Sequence, residues 1–325
     1  MTGFAYNFCK SFKSWIPVSL LVFLMLACGT FSSPTQSPPP ASETTTDETL
    51  SAGDSYRTLL FDGLERTYIL HIPPGLDASH PVPLVLAFHG IGLDGNEMIR
   101  ISGFNAQADA SGFIVVYPEG TGNKKSWNGG HCCGEAMLNN VDDVGFVQAL
   151  LEELSTIIPL DRSRVYATGF SNGAIMVYRL ACELADRIAA IGAVSATQAA
   201  EDLPTCQPAR PVPVIHFHGT DDDANPYNGG ETAIGAHFLA VPDAMQFWTE
   251  QDSCPAQSQQ TISGSIIHDT YEPCQSGATV ELYTIEGGKH AWPGGEAVNQ
   301  QMGEPTTEIS ATPIMWEFFS SHPMP

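Results

Sequence analysis

Basic side chains are scarce in this chain. There are 13 Lys and Arg against 36 Asp and Glu, and two of the 13, Lys10 and Lys13, precede Cys28, where no acid occurs. A chain starting at Cys28 carries 11 basic and 36 acidic side chains, a net charge of −25. Such a surface repels phosphate backbones and anionic headgroups, so nucleic acid is excluded as a partner. Long apolar runs are also missing near the N-terminus. Ile16–Ala27 is apolar over 12 residues, short of the ~20 that a spanning helix needs. The Cys and His spacings fit no zinc pattern, and no metal or organic cofactor is expected. No internal repeat is visible. With 325 residues the chain can hold one large α/β domain.

What the N-terminus does have is an export signal. Lys10 and Lys13 form a basic n-region before the short apolar segment. Leu24-Met25-Leu26-Ala27-Cys28-Gly29 resembles the lipobox of bacterial lipoproteins, with Met25 where leucine is usual. The resemblance implies that Cys28 is lipidated and becomes the mature N-terminus. A plain secretory signal is the alternative. Residues 29–55 are rich in Ser, Thr and Pro and cannot bury a core, so they read as a tether. The expected organisation is a signal over 1–28, a tether over 29–55 and one catalytic domain over 56–325. The product is an exported protein whose membrane contact is a lipid on Cys28, and it is expected to be a monomer. In an oxidising compartment its cysteines should pair. Cys254 and Cys274 flank one segment and pair most simply with each other. Cys132, Cys133, Cys182 and Cys206 can make two further bridges. Bonding between the neighbours Cys132 and Cys133 is disfavoured, because the ring they would close strains the peptide.

Along the catalytic region, two β-prone runs, Tyr56–Phe61 and Leu64–Ile72, are joined by Asp62-Gly63, a strong hairpin signal. Pro83–Phe88 and Phe113–Tyr117 are uninterrupted apolar runs typical of strands buried on both faces. Further strands are expected at Arg164–Thr168, Ile188–Val194, Val212–His218 and Thr279–Ile285. Helices are expected near Phe104–Ala110, Val141–Ile157, Ala174–Glu183 and Pro242–Gln251. Thr312-Pro313 reads as an N-cap and first-turn proline opening a last helix through Phe319. Strands alternating with helices predict an α/β fold, with a mostly parallel central sheet and helices on both faces.

Gly169-Phe170-Ser171-Asn172-Gly173 organises this frame. It reads Gly-x-Ser-x-Gly, between a β-prone run and a helical one, the context a nucleophile elbow requires. Two other strands end in useful groups. Asp221-Asp222-Asp223 follows one, and His290 follows the last. The chain order Ser, Asp, His is that of the α/β-hydrolase fold. A serine hydroxyl needs a base at neutral pH, and the base needs an acid to orient it. Paired carboxylates at Asp142 and Asp143 open a helix, where its dipole favours acids. Their expected role is structural. His216 and His218 lie on the strand before the acids, where one can be buried and hydrogen-bonded. Trp127, Tyr227 and Trp292 are candidates to line an acyl pocket, core or rim packing being the equal alternative for each.

The motifs together resemble the secreted polyhydroxybutyrate depolymerase and feruloyl esterase family, carbohydrate esterase family 1 with its LpqC-like members. The resemblance rests on His89-Gly90, Ser126-Trp127-Asn128, Cys132-Cys133-Gly134, Val141–Phe146, Gly169–Gly173, His218-Gly219-Thr220 to Pro226-Tyr227, and Gly287–Gly295. It covers about Leu59–Phe319. It implies a serine esterase working through Ser171, His290 and Asp222, the acid lying two places after Thr220. It also implies an oxyanion hole from the backbone of Asn172 and of Ile91 or Gly92. Hydroxycinnamoyl esters of plant polysaccharide are the favoured substrate, with 3-hydroxybutyrate oligomers and acetyl xylan as alternatives. An acyltransferase or an inactive binding protein on the same fold are the readings from other classes.

Overall fold

The computed structural model describes residues 51–231 and 237–325. The export signal, Cys28 and most of the tether lie outside them. The Asp62-Gly63 signal is realised as a two-residue turn between β1 (Gly53–Phe61) and β2 (Leu64–Ile72). Both turn residues have positive φ, 49° and 74°, which matches the twist of a hairpin. Strand β1 begins at Gly53, whose partner is Ile72. Residues 53–55, expected in the tether, therefore belong to the sheet.

Six parallel strands form the centre: β3 (Val82–Phe88), β4 (Ile114–Pro118), β5 (Leu160–Phe170), β6 (Ala190–Val194), β7 (Val214–Gly219) and β12 (Val280–Ile285). Strand β2 pairs antiparallel with β4 at one side. At the other, β12 pairs antiparallel with β11 (Ile266–Tyr271), and β11 with β10 (Gln259–Ser263). The sheet order is β1-β2-β4-β3-β5-β6-β7-β12-β11-β10. Strands β8 (Gly230–Glu231) and β9 (His237–Phe238) form a small separate ribbon. The chain reverses direction across the sheet at β3, since β4 lies on one side of it and β5 on the other. Ligands of such sheets bind outside the carboxyl ends of the strands at that reversal.

Period-two alternation assigns each central strand to two cores. Leu84, Leu86 and Phe88 of β3 pack into one cluster, with α4 (Asp143–Ile157), α5 (Asn172–Glu183) and α6 (Val241–Gln251). Val85 and Ala87 pack into the other, with α1 (Gly95–Ser102), α2 (Phe104–Ser111) and α7 (Ala311–Ser321). The short α3 (Gly134–Leu138) lies in the loop after β4. Each fully buried Leu, Val or Phe contributes about 1.5–3 kcal/mol. Among the described residues, no helix is long and apolar enough to cross a membrane.

Two local expectations change. Cys132 and Cys133 do bond to each other; the peptide between them is cis, and their Cα atoms are 3.1 Å apart. Cys182 and Cys206, 4.8 Å apart, form the second bridge, and Cys254–Cys274 is the third. The last helix starts at Ala311 with Ser310 at its cap. Thr312 sits inside it, and its hydroxyl donates to the Ser102 carbonyl instead. The segment enclosed by Cys254 and Cys274 contains the hairpin β10–β11, which extends the sheet.

Candidate active site

Strand β5 ends at Phe170 and α5 begins at Asn172, leaving Ser171 alone in the turn at φ 56°, ψ −120°. A non-glycine residue holds such angles only when its surroundings impose them. Here they do. The Ser171 N–H donates to the Val194 carbonyl (2.9 Å), and its own carbonyl accepts from Ala174 (2.8 Å) and Ile175 (3.2 Å). A side chain on Gly169 would strike the backbone of Gly173, and one on Gly173 would strike the carbonyl of Phe88. Both glycines are therefore required for strand, turn and helix to close on one another and on β3.

Asp222 and His290 follow the neighbouring strands β7 and β12. Gly219, ending β7, lies so close to Gly288 that a Cβ there would collide with its backbone. This approach brings the two loops together. His290 Nδ1–H donates to Asp222 Oδ2 at 2.7 Å, and both residues are buried. Asp222 Oδ1 accepts from the amides of Ala224 (2.9 Å) and Asn225 (2.8 Å). With Nδ1 as the donor, Nε2 carries the free lone pair. Asp221 and Asp223 point away and are exposed, Asp223 meeting Lys289 Nζ at 3.4 Å. The structure thus brings Asp222, rather than either neighbour, to His290. The His290 ring lies 4.8 Å from that of Phe170, the residue before Ser171.

The loop after β3 faces the turn. A Cβ on Gly90 would lie 3.2 Å from Ser171 Cβ. His89 is a buried strut beneath this loop. Its Nδ1–H donates to the Gly90 carbonyl (2.8 Å) and its Nε2 accepts from the Gly120 amide (3.0 Å), so the ring is neutral. Burial pushes its pKa down to about 4. The Gly92 amide donates to the Lys125 carbonyl (2.8 Å) and has nothing to offer an oxyanion. The Ile91 amide has no partner among the described residues. Asn172 clamps the loop after β4: its Oδ1 accepts from the Trp127 amide (2.7 Å), and its Nδ2 donates to the Trp127 carbonyl (3.1 Å).

The aromatic candidates do not form an open wall. Trp127 and Trp292 are both 0% exposed. The Trp127 indole N–H donates to the His89 carbonyl (2.9 Å), and that of Trp292 to Thr312 Oγ1 (3.0 Å). Both back the site from within the core, because each indole finds its polar partner there. Only Tyr227 is partly exposed, and its hydroxyl meets Thr284 Oγ1 at 2.8 Å. Asp142 caps α4, accepting from the Gly145 amide. Asp143 is fully buried against Arg66 (2.7 Å) and accepts from the Asn128 amide (2.8 Å). Both acids therefore serve the fold. Among the described residues, no group of three or more His, Cys, Asp or Glu is arranged to hold a metal ion.

A chain of neutral groups behind Asp222 escaped the sequence reading. Tyr178 O–H donates to His216 Nδ1 (2.8 Å), His216 Nε2–H to His218 Nδ1 (3.0 Å), and His218 Nε2–H to the Asn225 carbonyl (2.8 Å). The final acceptor fixes every tautomer, since a carbonyl cannot donate. Burial holds both histidines below their ordinary pKa. The chain buttresses the loop whose Asn225 amide binds Asp222. Its signal in the sequence was the His-x-His pair on β7, though Tyr178 lies on a different element.

A model of the esterase PHB depolymerase family matches residues 66–206. The chain is 32% identical over 235 residues to "Feruloyl esterase B" of Piromyces equi, covering 70% of this chain and 42% of that protein. It thus spans less than half of that relative's length. It is 32% identical over 259 residues to "Putative esterase NocK" of Nocardia uniformis subsp. tsuyamanensis, covering 74% of each. Among solved structures it resembles the acetyl xylan esterase from Aspergillus awamori at a TM-score of 0.58 and 14% identity, covering 82% of this chain and 99% of that one. That likeness shows the α/β-hydrolase fold. With the fold, the family model and a relative matched over most of both chains in agreement, this chain belongs to the esterase PHB depolymerase family.

Proposed function

We propose that the protein is an exported serine carboxylic-ester hydrolase using Ser171, His290 and Asp222. The observation that carries this reading is the His290–Asp222 hydrogen bond beside the strained turn at Ser171. Asp222 keeps the proton on His290 Nδ1, so Nε2 is the base that takes the Ser171 proton. Serine Oγ then attacks the ester carbonyl. The tetrahedral oxyanion is stabilised by the amides of Asn172 and Ile91. His290 returns the proton to the leaving alcohol, and water resolves the acyl-enzyme by the same steps in reverse order of partners. Export by the signal over 1–28 and lipid attachment at Cys28 are part of this proposal, as is a monomeric enzyme. Intact mass of the mature N-terminus tests the anchor.

The favoured substrate is a feruloyl or related hydroxycinnamoyl ester of plant polysaccharide. With Trp127 and Trp292 in the core, this preference draws on relatives named as feruloyl esterases in Piromyces and Aspergillus. The family description favours 3-hydroxybutyrate oligomers as the second reading, and a relative named as a bifunctional acetylxylan esterase/xylanase adds acetyl xylan. One preparation should be assayed on methyl ferulate, acetylated xylan and soluble 3-hydroxybutyrate trimer. The expected result is the highest kcat/KM on methyl ferulate. A higher value on the trimer overturns the preference. Ser171→Ala should lower every rate by several orders of magnitude, because triad members act as one unit. Retention of more than a few per cent overturns the nucleophile.

A further inference from the structure

Glu119 follows Pro118, the last residue of β4, and is buried. Its backbone is fixed at both ends. The amide donates to the Thr67 carbonyl (3.0 Å), and the carbonyl accepts from Arg66 Nη2–H (3.2 Å). The side chain reaches the loop between β3 and α1. Oε1 accepts from the Gly95 amide (3.0 Å), and Oε2 accepts from Lys125 Nζ (2.8 Å). Gly95 opens α1, so its N–H has no carbonyl within the helix to meet. A Cβ on Gly95 would lie 3.0 Å from Ile69 Cδ1 and 3.2 Å from Glu119 Oε1. The helix start therefore sits directly on the carboxylate.

The loop so held carries the Ile91 amide. Its direction follows from the Gly90 carbonyl, because in a planar trans peptide the C=O and the next N–H point opposite ways. That carbonyl accepts from His89 Nδ1–H (2.8 Å) and from the Leu93 amide (3.1 Å). The second bond requires the chain to turn back between Gly90 and Leu93. Two anchors hold the turn: the Gly92 amide on the Lys125 carbonyl (2.8 Å), and the Gly95 amide on Glu119. Both converge on Glu119, since Lys125 also places its Nζ on Oε2. A Cβ on Gly90 would lie only 3.2 Å from Ser171 Cβ. A small rotation of the Gly90–Ile91 peptide would thus move the N–H relative to the nucleophile.

We propose that Glu119 is a positioning residue for ester hydrolysis, its carboxylate holding the Gly90–Gly95 loop so that the Ile91 amide meets the oxyanion formed at Ser171. The proposal rests on the serine-esterase reading above. Glu119 touches neither the substrate nor the reacting atoms. Its effect falls on the transition state, because full negative charge reaches the carbonyl oxygen only there. If the carboxylate only started α1, its loss would change stability and leave transition-state binding alone.

Glu119→Ala removes both acceptors, whereas Glu119→Gln keeps one for the Gly95 amide. Rates are read on a soluble aryl ester, with active sites counted by fluorophosphonate labelling. Glu119→Ala should lower kcat/KM about 10–100-fold, less than the ~10²–10³ lost with an oxyanion donor itself. Glu119→Gln should recover most of this. The second readout is a trifluoromethyl ketone. Ser171 Oγ adds to its carbonyl carbon, the hydroxyl proton passes to His290 Nε2, and the carbonyl oxygen becomes an oxyanion in the hole. Its inhibition constant should rise by the factor that kcat/KM falls. The matching alcohol forms no oxyanion and should bind to within about twofold of wild type. A folded Glu119→Ala with unchanged kcat/KM, or with kcat/KM lowered and ketone affinity intact, overturns the proposal. If Glu119→Ala does not fold, as judged by its melting curve, Glu119→Met fills the space without an acceptor and carries the test. Failure of both to fold where Glu119→Gln folds assigns Glu119 to the fold alone and also overturns it. Each of these results leaves wild-type hydrolysis, and with it the esterase reading, standing. A wild type that hydrolyses no ester would remove the esterase reading instead.

Discussion

Ser171 is held at φ 56° by contacts that no single residue supplies. The loop acids show how fine the same control is elsewhere in the site. Three consecutive aspartates follow β7, yet only Asp222 turns inward, because its Oδ1 is captured by the amides of Ala224 and Asn225. Asp222→Asn should therefore lower kcat/KM on the order of 10⁴-fold, since an amide no longer selects the Nδ1–H tautomer of His290. Asp221→Asn and Asp223→Asn should stay within about twofold of wild type, as exposed charges exert little force through water. Steady-state rates on a soluble aryl ester check this, and a crippled Asp223→Asn would contradict it. The elbow and the order of the three groups were legible in the sequence because spacing in the chain dictates them. The burial of Trp127 and Trp292 was not, since an aromatic residue beside a motif can face the cleft or the core.

At the scale of elements, β2 and α4 are joined by the buried pair Arg66–Asp143, 2% and 0% exposed. Arg66 also lies over the Phe146 ring at 3.9 Å and donates to the Glu119 carbonyl. Removing one partner leaves an uncompensated buried charge. Arg66→Met should destabilise the fold by about 3–5 kcal/mol, and Arg66→Met with Asp143→Asn should recover part of that loss. Urea unfolding midpoints at constant slope measure both. The acids at the start of α4 were readable as a helix opening, but the partner 77 positions earlier was not. Only the antiparallel edge of the sheet brings the two together. The hairpin β10–β11 was hidden for a related reason. The side chains of β10 are all exposed, so no apolar alternation marks it.

For the whole molecule, buried neutral histidines tie stability to pH. His89, His216 and His218 all have folded pKa values below the ordinary 6.5, His89 at about 4. Above pH 6.5 neither folded nor unfolded chain protonates them. Below it the unfolded chain takes up protons that the folded chain refuses, so their stabilisation is lost as the pH falls towards 4. Each adds a slope of up to about 1.4 kcal/mol per pH unit. Burial raises the Asp252 pKa to about 7 and opposes this with a single proton. The unfolding free energy should accordingly drop between pH 6.5 and 5, as measured by urea titrations at fixed ionic strength. A flat profile would show that these histidines are accessible to protons.

The α/β-hydrolase frame, the serine at its elbow, the order of Ser171, Asp222 and His290 and the positions of most strands and helices were legible in the sequence. These follow from local physics: apolar runs, glycines where no Cβ fits, and turn chemistry between neighbours in the chain. Only the folded chain shows that Cys132 bonds to Cys133 and that Trp127 and Trp292 are sealed in the core, while it brings Asp222, the aspartate the resemblance implied, to His290. It also joins Tyr178, His216 and His218 into one hydrogen-bonded chain. The hydrogen-bonded chain depends on groups from different elements arriving within about 3 Å of one another, the range of a hydrogen bond, and no spacing along the chain encodes that.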